Sequence, residues 1–128
     1  MKYFRLRKGT DIVQVLADEG ITPDTEAYSV AEVVEVLKSL FADQHVLRQP
    51  ERGGETVTAG VSRPDDSDGY RVMVQAPGES FWLTSRLVFA GNANGVAYQD
   101  FPALISDAVE TASAMLRAWD EHGGQLAG

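Results

Sequence analysis

The sequence contains no cysteine, only two histidines and no long hydrophobic run. The absence of cysteine excludes disulfides, thiolate nucleophiles and zinc–thiolate sites, and it fits a reducing compartment. No stretch approaches the roughly 18 apolar residues that a membrane-spanning helix needs. We therefore expect a cytoplasmic protein with no membrane segment and no cofactor.

Positive charge is also scarce, because 11 lysines and arginines stand against 19 acids and the net charge is −8. An acidic protein is a poor match for direct nucleic-acid binding, which needs a basic face. The charge is also segregated: the first eight residues contain four cations and no acid, whereas residues 9–47 contain eight acids and one lysine. A field of this kind steers encounters with partners.

The sequence contains no recognisable catalytic or phosphate-binding motif, neither Gly-x-x-x-x-Gly-Lys nor Gly-x-Gly-x-x-Gly. His45 and His122 each follow a predicted helix, where a histidine interacts with the negative end of the helix. The aspartate-rich segment 65–68 departs from the EF-hand pattern, because Pro64 and Gln75 stand where that pattern needs aspartate and glutamate. We therefore predict no metal site and no catalytic residue.

Two helices are predicted in the first third of the chain. Residues 11–19 predict a short helix with Thr10 or Asp11 as its cap. Ser29 and Glu32 have the spacing of a capping box, in which the serine hydroxyl and the glutamate each bond a free backbone amide. Apolar residues at steps of three and four then carry this second helix to about residue 44.

The patterns in the rest of the sequence predict an N-terminal strand, four later strands and one long final helix. Residues 2–7 alternate between apolar and basic side chains, which indicates an edge strand. Alternation also predicts four strands in antiparallel order, at residues 56–62, 70–76, 80–90 and 96–99. The final helix begins near Phe101 and ends at the glycines of positions 123 and 124, with Ser113 on its polar side.

The predicted fold class is α+β, because helices and strands are segregated along the chain. We expect a four-stranded antiparallel meander, with or without the N-terminal edge strand, packed by two N-terminal helices and one long C-terminal helix. Residues 1–124 are predicted to form a single domain, and residues 125–128 a flexible tail.

Two surfaces are candidates for partner binding. The first is an acidic helical face made of Asp24, Glu26, Glu32, Glu35 and Asp43. The second lies on one face of the predicted sheet, where aromatic, methionine and arginine side chains are the types enriched at protein interfaces. Its residues are Arg71, Met73, Trp82 and Arg86. This second surface is available only if the helices leave that face uncovered, since Trp82 and Met73 otherwise form a second core layer.

These features favour a non-catalytic acidic domain that binds a protein partner with a basic or amphipathic surface, as a monomer or homodimer. Phage anti-defence proteins that mimic DNA and immunity proteins that neutralise toxins are acidic domains of this size. A small-molecule-binding protein or enzyme is the alternative, with Tyr70, Trp82, Arg86 and Tyr98 lining a pocket between sheet and helices. A secretion chaperone or a structural subunit of an oligomer is the third possibility.

Overall fold

The computed structural model describes residues 4–42, 46–48, 58–64, 69–75, 82–89 and 95–121. In chain order these residues form β1 (Phe4–Leu6), α1 (Ile12–Asp18), α2 (Val30–Ala42), β2 (Val46–Arg48), β3 (Thr58–Ser62), β4 (Gly69–Gln75), β5 (Trp82–Thr84), β6 (Val88–Phe89) and α3 (Phe101–Glu121). The α+β class with three helices is confirmed. The predicted tail at 125–128 lies outside the described residues.

Both N-terminal helices begin at the caps that the sequence predicts. The side chain of Asp11 accepts a hydrogen bond from the backbone amide of Gln14 at 3.3 Å. At α2 the amide of Ser29 donates to Oε1 of Glu32 at 3.1 Å, and the amide of Glu32 donates to Oγ of Ser29 at 3.3 Å. The capping box is therefore confirmed, and two amides that helix formation leaves free are satisfied.

The main sheet is antiparallel, and β3, β4 and β5 form a three-stranded meander in that order. The short strand β6 pairs with β4 as well, beyond the end of β5. The predicted strand 80–90 is thus interrupted in the middle. The amide of Ser85 donates to the carbonyl of Val72 at 2.9 Å, but the amide of Val72 donates to Oγ of Ser85 at 3.0 Å. A side-chain hydroxyl takes the place of a backbone carbonyl there, and this ends the regular ladder.

The predicted fourth strand of the meander, residues 96–99, is wrong. Val96 forms an isolated antiparallel bridge with Tyr28, and each amide donates to the other carbonyl at 2.8 Å. A 3₁₀ turn, Tyr98–Asp100, then leads directly into α3. Gly95 has a φ of 103°, and a β-carbon there would lie 2.7 Å from the carbonyl oxygen of Tyr28. This glycine lets the chain turn against the loop before α2 instead of returning to the sheet.

The N-terminal strand is confirmed, but it does not lie at the edge of the main sheet. It pairs with β2 in a separate two-stranded antiparallel sheet, with Phe4 opposite Arg48. No strand was predicted at residues 46–48. The strand also packs on α3, and the Phe4 ring meets that of Phe41 edge-to-face with centroids 6.3 Å apart.

Ser113 connects α3 to the N-terminal strand β1 by hydrogen bonds. The amide of Phe4 donates to its Oγ at 3.1 Å, and the same hydroxyl donates to the carbonyl of Phe4 at 3.0 Å. The prediction that Ser113 points away from the core is wrong, because its side chain is fully buried. One small hydroxyl thus satisfies both the amide and the carbonyl of Phe4.

We expect Ser113→Ala to lower the free energy of unfolding by about 1–3 kcal/mol, because it leaves two buried backbone groups of Phe4 without that partner. Urea unfolding measures the change. The control is Ser106→Ala, an exposed serine on the same helix, which should change stability by less than about 0.5 kcal/mol. Equal effects at the two positions would contradict the bracing role of Ser113.

The helices cover one face of the main sheet. The inward side chains of β3, β4 and β5 alternate with outward ones and are buried in one core with α2, α3 and β1. They are Ala59, Val61, Tyr70, Val72, Val74 and Leu83. Both α2 and α3 contact β4, so the sheet and helices form two layers. The outward side chains of β3, β4 and β5 are half-buried or exposed.

Candidate interaction surfaces

The outward face of β4 and β5 carries most of the predicted strand-face surface. Trp82 lies opposite Gln75 and is 43% exposed, and Met73 lies opposite Thr84 and is half-buried. The Met73 side chain lies over Gly60, with its Cε 3.9 Å from where a β-carbon would stand. Trp82 and Met73 therefore do not form a second core layer beneath the N-terminal helices.

Two arginines accompany these apolar groups. Arg71 is exposed on β4 and shares the outward side with Met73. Arg86 is exposed in the interruption between β5 and β6, next to Leu87, which is also exposed. We call Arg71, Met73, Trp82 and Arg86 the open sheet face. Arg71, Met73 and Trp82 thus lie on the outward side of β4 and β5, and Arg86 lies in the exposed segment that follows β5.

The predicted acidic face lies on α2 and on the loop before it. The α2 side chains that face the core recur every three or four residues, so Glu32 and Glu35 point away from the sheet into solvent. Asp24 and Glu26 are exposed on the loop. Asp43 lies outside the described residues. Glu19, at the end of α1, joins this group through a short hydrogen bond from the Ser39 hydroxyl.

We call Glu19, Asp24, Glu26, Glu32 and Glu35 the acidic surface. Its carboxylates are not equivalent. Glu32 is held in the capping box, and Glu35 lies 3.7 Å from the ammonium of Lys38 in an exposed ion pair. Exposed pairs of this kind contribute about 0–1 kcal/mol, so Lys38 offsets one charge without organising the surface.

Tyr28 fixes the loop that carries Asp24 and Glu26. Its hydroxyl accepts a hydrogen bond from the amide of Thr22 at 2.9 Å and donates to the carbonyl of the same residue at 2.7 Å. Its ring meets Phe101 edge-to-face, with centroids 5.6 Å apart. A hydrogen bond with the Thr25 side chain lowers the pKa of Tyr28 from its usual value. Asp24 and Glu26 thus lie on a loop that these contacts of Tyr28 hold in place.

Sequence reasoning did not single out Tyr28, although a signal was present. The residue lies immediately before the helix cap Ser29, where an apolar side chain commonly packs against the fourth residue of the helix. Both Tyr28 and that residue, Val33, are buried. The backbone bridge to Val96 had no signal in the local sequence.

The structure does not bring together the residues of the predicted small-molecule pocket. Tyr70 faces the core and is fully buried, whereas Trp82 faces the opposite side of the sheet. Two surface grooves of about 280 and 160 Å³ are lined by other residues. The larger follows residues 7–18, and the smaller lies between β1 and α3. The prediction of a pocket lined by Tyr70, Trp82, Arg86 and Tyr98 is therefore wrong, because Tyr70 and Trp82 lie on opposite sides of the sheet.

Among the residues that the structure describes, no three acidic or histidine side chains lie close enough to hold a metal ion. His45, His122 and the aspartate-rich segment 65–68 lie outside those residues. In the same part of the chain, no helix combines the length and the hydrophobicity that crossing a membrane requires.

No family model, no curated protein and no solved structure matches this chain.

Proposed function

We propose that this protein is a non-catalytic interaction domain whose acidic surface docks on a basic surface of a macromolecular target. The observation that carries the proposal is the exposure of every carboxylate between residues 9 and 42. All seven are exposed, and this stretch contains a single lysine and no arginine. An uncompensated field of one sign attracts and orients a partner of the opposite sign.

The scaffold beneath the acidic surface supports the same proposal. Tyr28 braces the loop of Asp24 and Glu26, and the buried side of α2 fixes Glu32 and Glu35. Ordering side chains and loops costs free energy on binding, so a surface that is already ordered retains more of its contact energy. Such a domain would act as an inhibitor or neutralising protein, in the manner of DNA-mimicking anti-defence proteins or immunity proteins.

The test begins with affinity capture from the source cell at low and moderate salt, followed by identification of the basic partner. Association with that partner is then measured for the triple variant Asp24→Asn, Glu26→Gln and Glu35→Gln. We expect the association rate at low salt to fall at least about tenfold, because charge steering accounts for factors of about 10 to 1,000 in on-rate. Glu32 is left unchanged because it caps α2.

The matched control removes the same number of charges elsewhere, by Asp100→Asn, Asp107→Asn and Glu121→Gln at exposed positions. This variant has the same net charge as the first, so it separates the local surface from the overall field. Equal losses in both variants would assign the effect to net charge alone. An unchanged on-rate in the first variant would remove the acidic surface as the docking site.

A further inference from the structure

The exposed side of α2 and the outward side of the main sheet face in opposite directions. The sheet and helices form two layers, with α2 packed against the inward side of β3 and β4. The exposed side of α2, with Glu32 and Glu35, faces away from the sheet, whereas Arg71 and Trp82 lie on the outward side of the sheet.

The two surfaces also have opposite chemistry. The charged side chains of β3 to β6 and of the described residues beside them are arginines, and Arg71 and Arg86 form no ion pair with a described residue. Trp82 adds exposed apolar area on the outward side of β5. The acidic residues of the connecting segments lie outside the described residues; they are Glu51, Glu55, Asp65, Asp66, Asp68 and Glu79.

We propose that the open sheet face docks on the acidic surface of a second copy of this chain. Charge complementarity identifies the occupant, because the acidic surface supplies carboxylates for Arg71 and Arg86 and shows few cations of its own. The proposal uses the same acidic surface as the proposed function, but its partner is another copy.

The geometry also determines the symmetry of this association. A two-fold dimer buries the same patch on both copies, so two patches that face in opposite directions cannot meet in one two-fold interface. The contact is instead heterologous, head to tail. Each added copy presents a new open sheet face at one end and a new acidic surface at the other.

The first measurement is average mass against concentration, by sedimentation or light scattering. At about 0.05 M salt, we expect the mass to rise above the 13.9 kDa of one chain and to continue past the dimer as concentration increases. At about 0.5 M salt, we expect a return toward the monomer, because the interacting charges are exposed and therefore screened.

The decisive experiment combines two variants that neutralise one surface each. The first carries Arg71→Gln and Trp82→Ser, and the second carries Asp24→Asn, Glu26→Gln and Glu35→Gln. All five positions are exposed, and unchanged unfolding curves verify the fold. Each variant alone should remain monomeric. A one-to-one mixture should form a dimer that grows no further, because only one intact surface of each kind remains per pair.

The control for charge number is Asp65→Asn, Asp66→Asn and Asp68→Asn, which removes three acids outside the acidic surface and should leave self-association intact. If the acidic-surface variant assembles alone as the unmodified protein does, the sheet faces meet each other and the proposal is overturned. A protein that stays monomeric at every concentration and salt also overturns it, but leaves capture of a basic partner untouched. Binding of single-stranded DNA at Trp82 by a protein that remains monomeric overturns it in favour of nucleic acid.

Discussion

Leu116→Ala is expected to lower the free energy of unfolding by about 2–5 kcal/mol. The side chain is 2% exposed and belongs to the core that α3 shares with the sheet. Removing three buried carbons loses their transfer free energy, and the cavity left behind adds a further cost because a packed core relaxes only in part. A domain of this size has about 5–15 kcal/mol of stability in total, so the change consumes a large share of it.

Urea unfolding of the purified variant measures this loss directly. The matched control is Leu87→Ala, which removes the same atoms from a side chain that is 45% exposed and should cost less than about 1 kcal/mol. Because both variants lose the same atoms, the difference between their changes in unfolding free energy measures the effect of burial. A cost below about 1 kcal/mol at Leu116 would show that the C-terminal half of α3 does not pack in the core.

Local signals predicted the helices well because their causes are local. The cap of α1 joins Asp11 to Gln14, and the capping box of α2 joins Ser29 to Glu32, so each signal and its partner lie within one turn. The hydrogen bonds of Ser113, in contrast, connect residues 109 positions apart. Nothing near Phe4 in sequence indicates this partner, and nothing near residues 46–48 indicates that they pair with β1.

Two errors involve serines at inward positions. Ser113 lies four residues after Val109 and three before Leu116, both in the core, so its position on α3 is inward despite its hydroxyl. Ser85 similarly interrupts the alternation of the predicted strand 80–90, and the structure breaks the strand at that serine. In both cases a serine at an inward position bonds backbone, which a hydroxyl can do as donor and acceptor.

The candidate surfaces were predictable as sets of residues but not as exposed surfaces. Alternation placed Met73 and Trp82 on one side of the sheet, yet the choice between solvent and a second core layer depends on where the helices pack. Helix periodicity placed Glu32 and Glu35 on the exposed side of α2. The bracing by Tyr28, which orders the neighbouring loop, depends on contacts with Val96 and Phe101 that only the folded chain provides.

Tyr70→Phe is expected to stabilise the protein by about 1–3 kcal/mol at neutral pH, the approximate cost of burying a hydroxyl without a partner. Tyr70 is fully buried, and its hydroxyl makes no hydrogen bond with any residue that the structure describes. Phenylalanine keeps the ring that fills this part of the core and removes only the unsatisfied oxygen. The control is Tyr98→Phe in a half-buried side chain, for which we expect a change below about 1 kcal/mol.

The same substitution should also change how stability depends on alkaline pH. Burial, with a smaller contribution from the nearby charge of Asp107, raises the pKa of Tyr70 to about 12, from 10.0 for a free tyrosine. Because the folded pKa exceeds the unfolded one, the folded protein holds the proton more tightly. The stability that this difference in pKa gives to the folded protein is complete below about pH 10 and is lost as the pH rises toward 12.

The free energy of unfolding, measured for both proteins from about pH 8 to pH 12, should therefore show a gap that widens with pH. We expect the advantage of Tyr70→Phe to grow by about 1–2 kcal/mol over that range, with allowance for solvent screening. Other groups that titrate there are common to both proteins and cancel in the difference. If the variant is more stable by the same amount at every pH, the hydroxyl lacks a hydrogen-bond partner but has the same pKa in the folded and unfolded protein. A destabilised variant would mean instead that the hydroxyl has a bonding partner in solution.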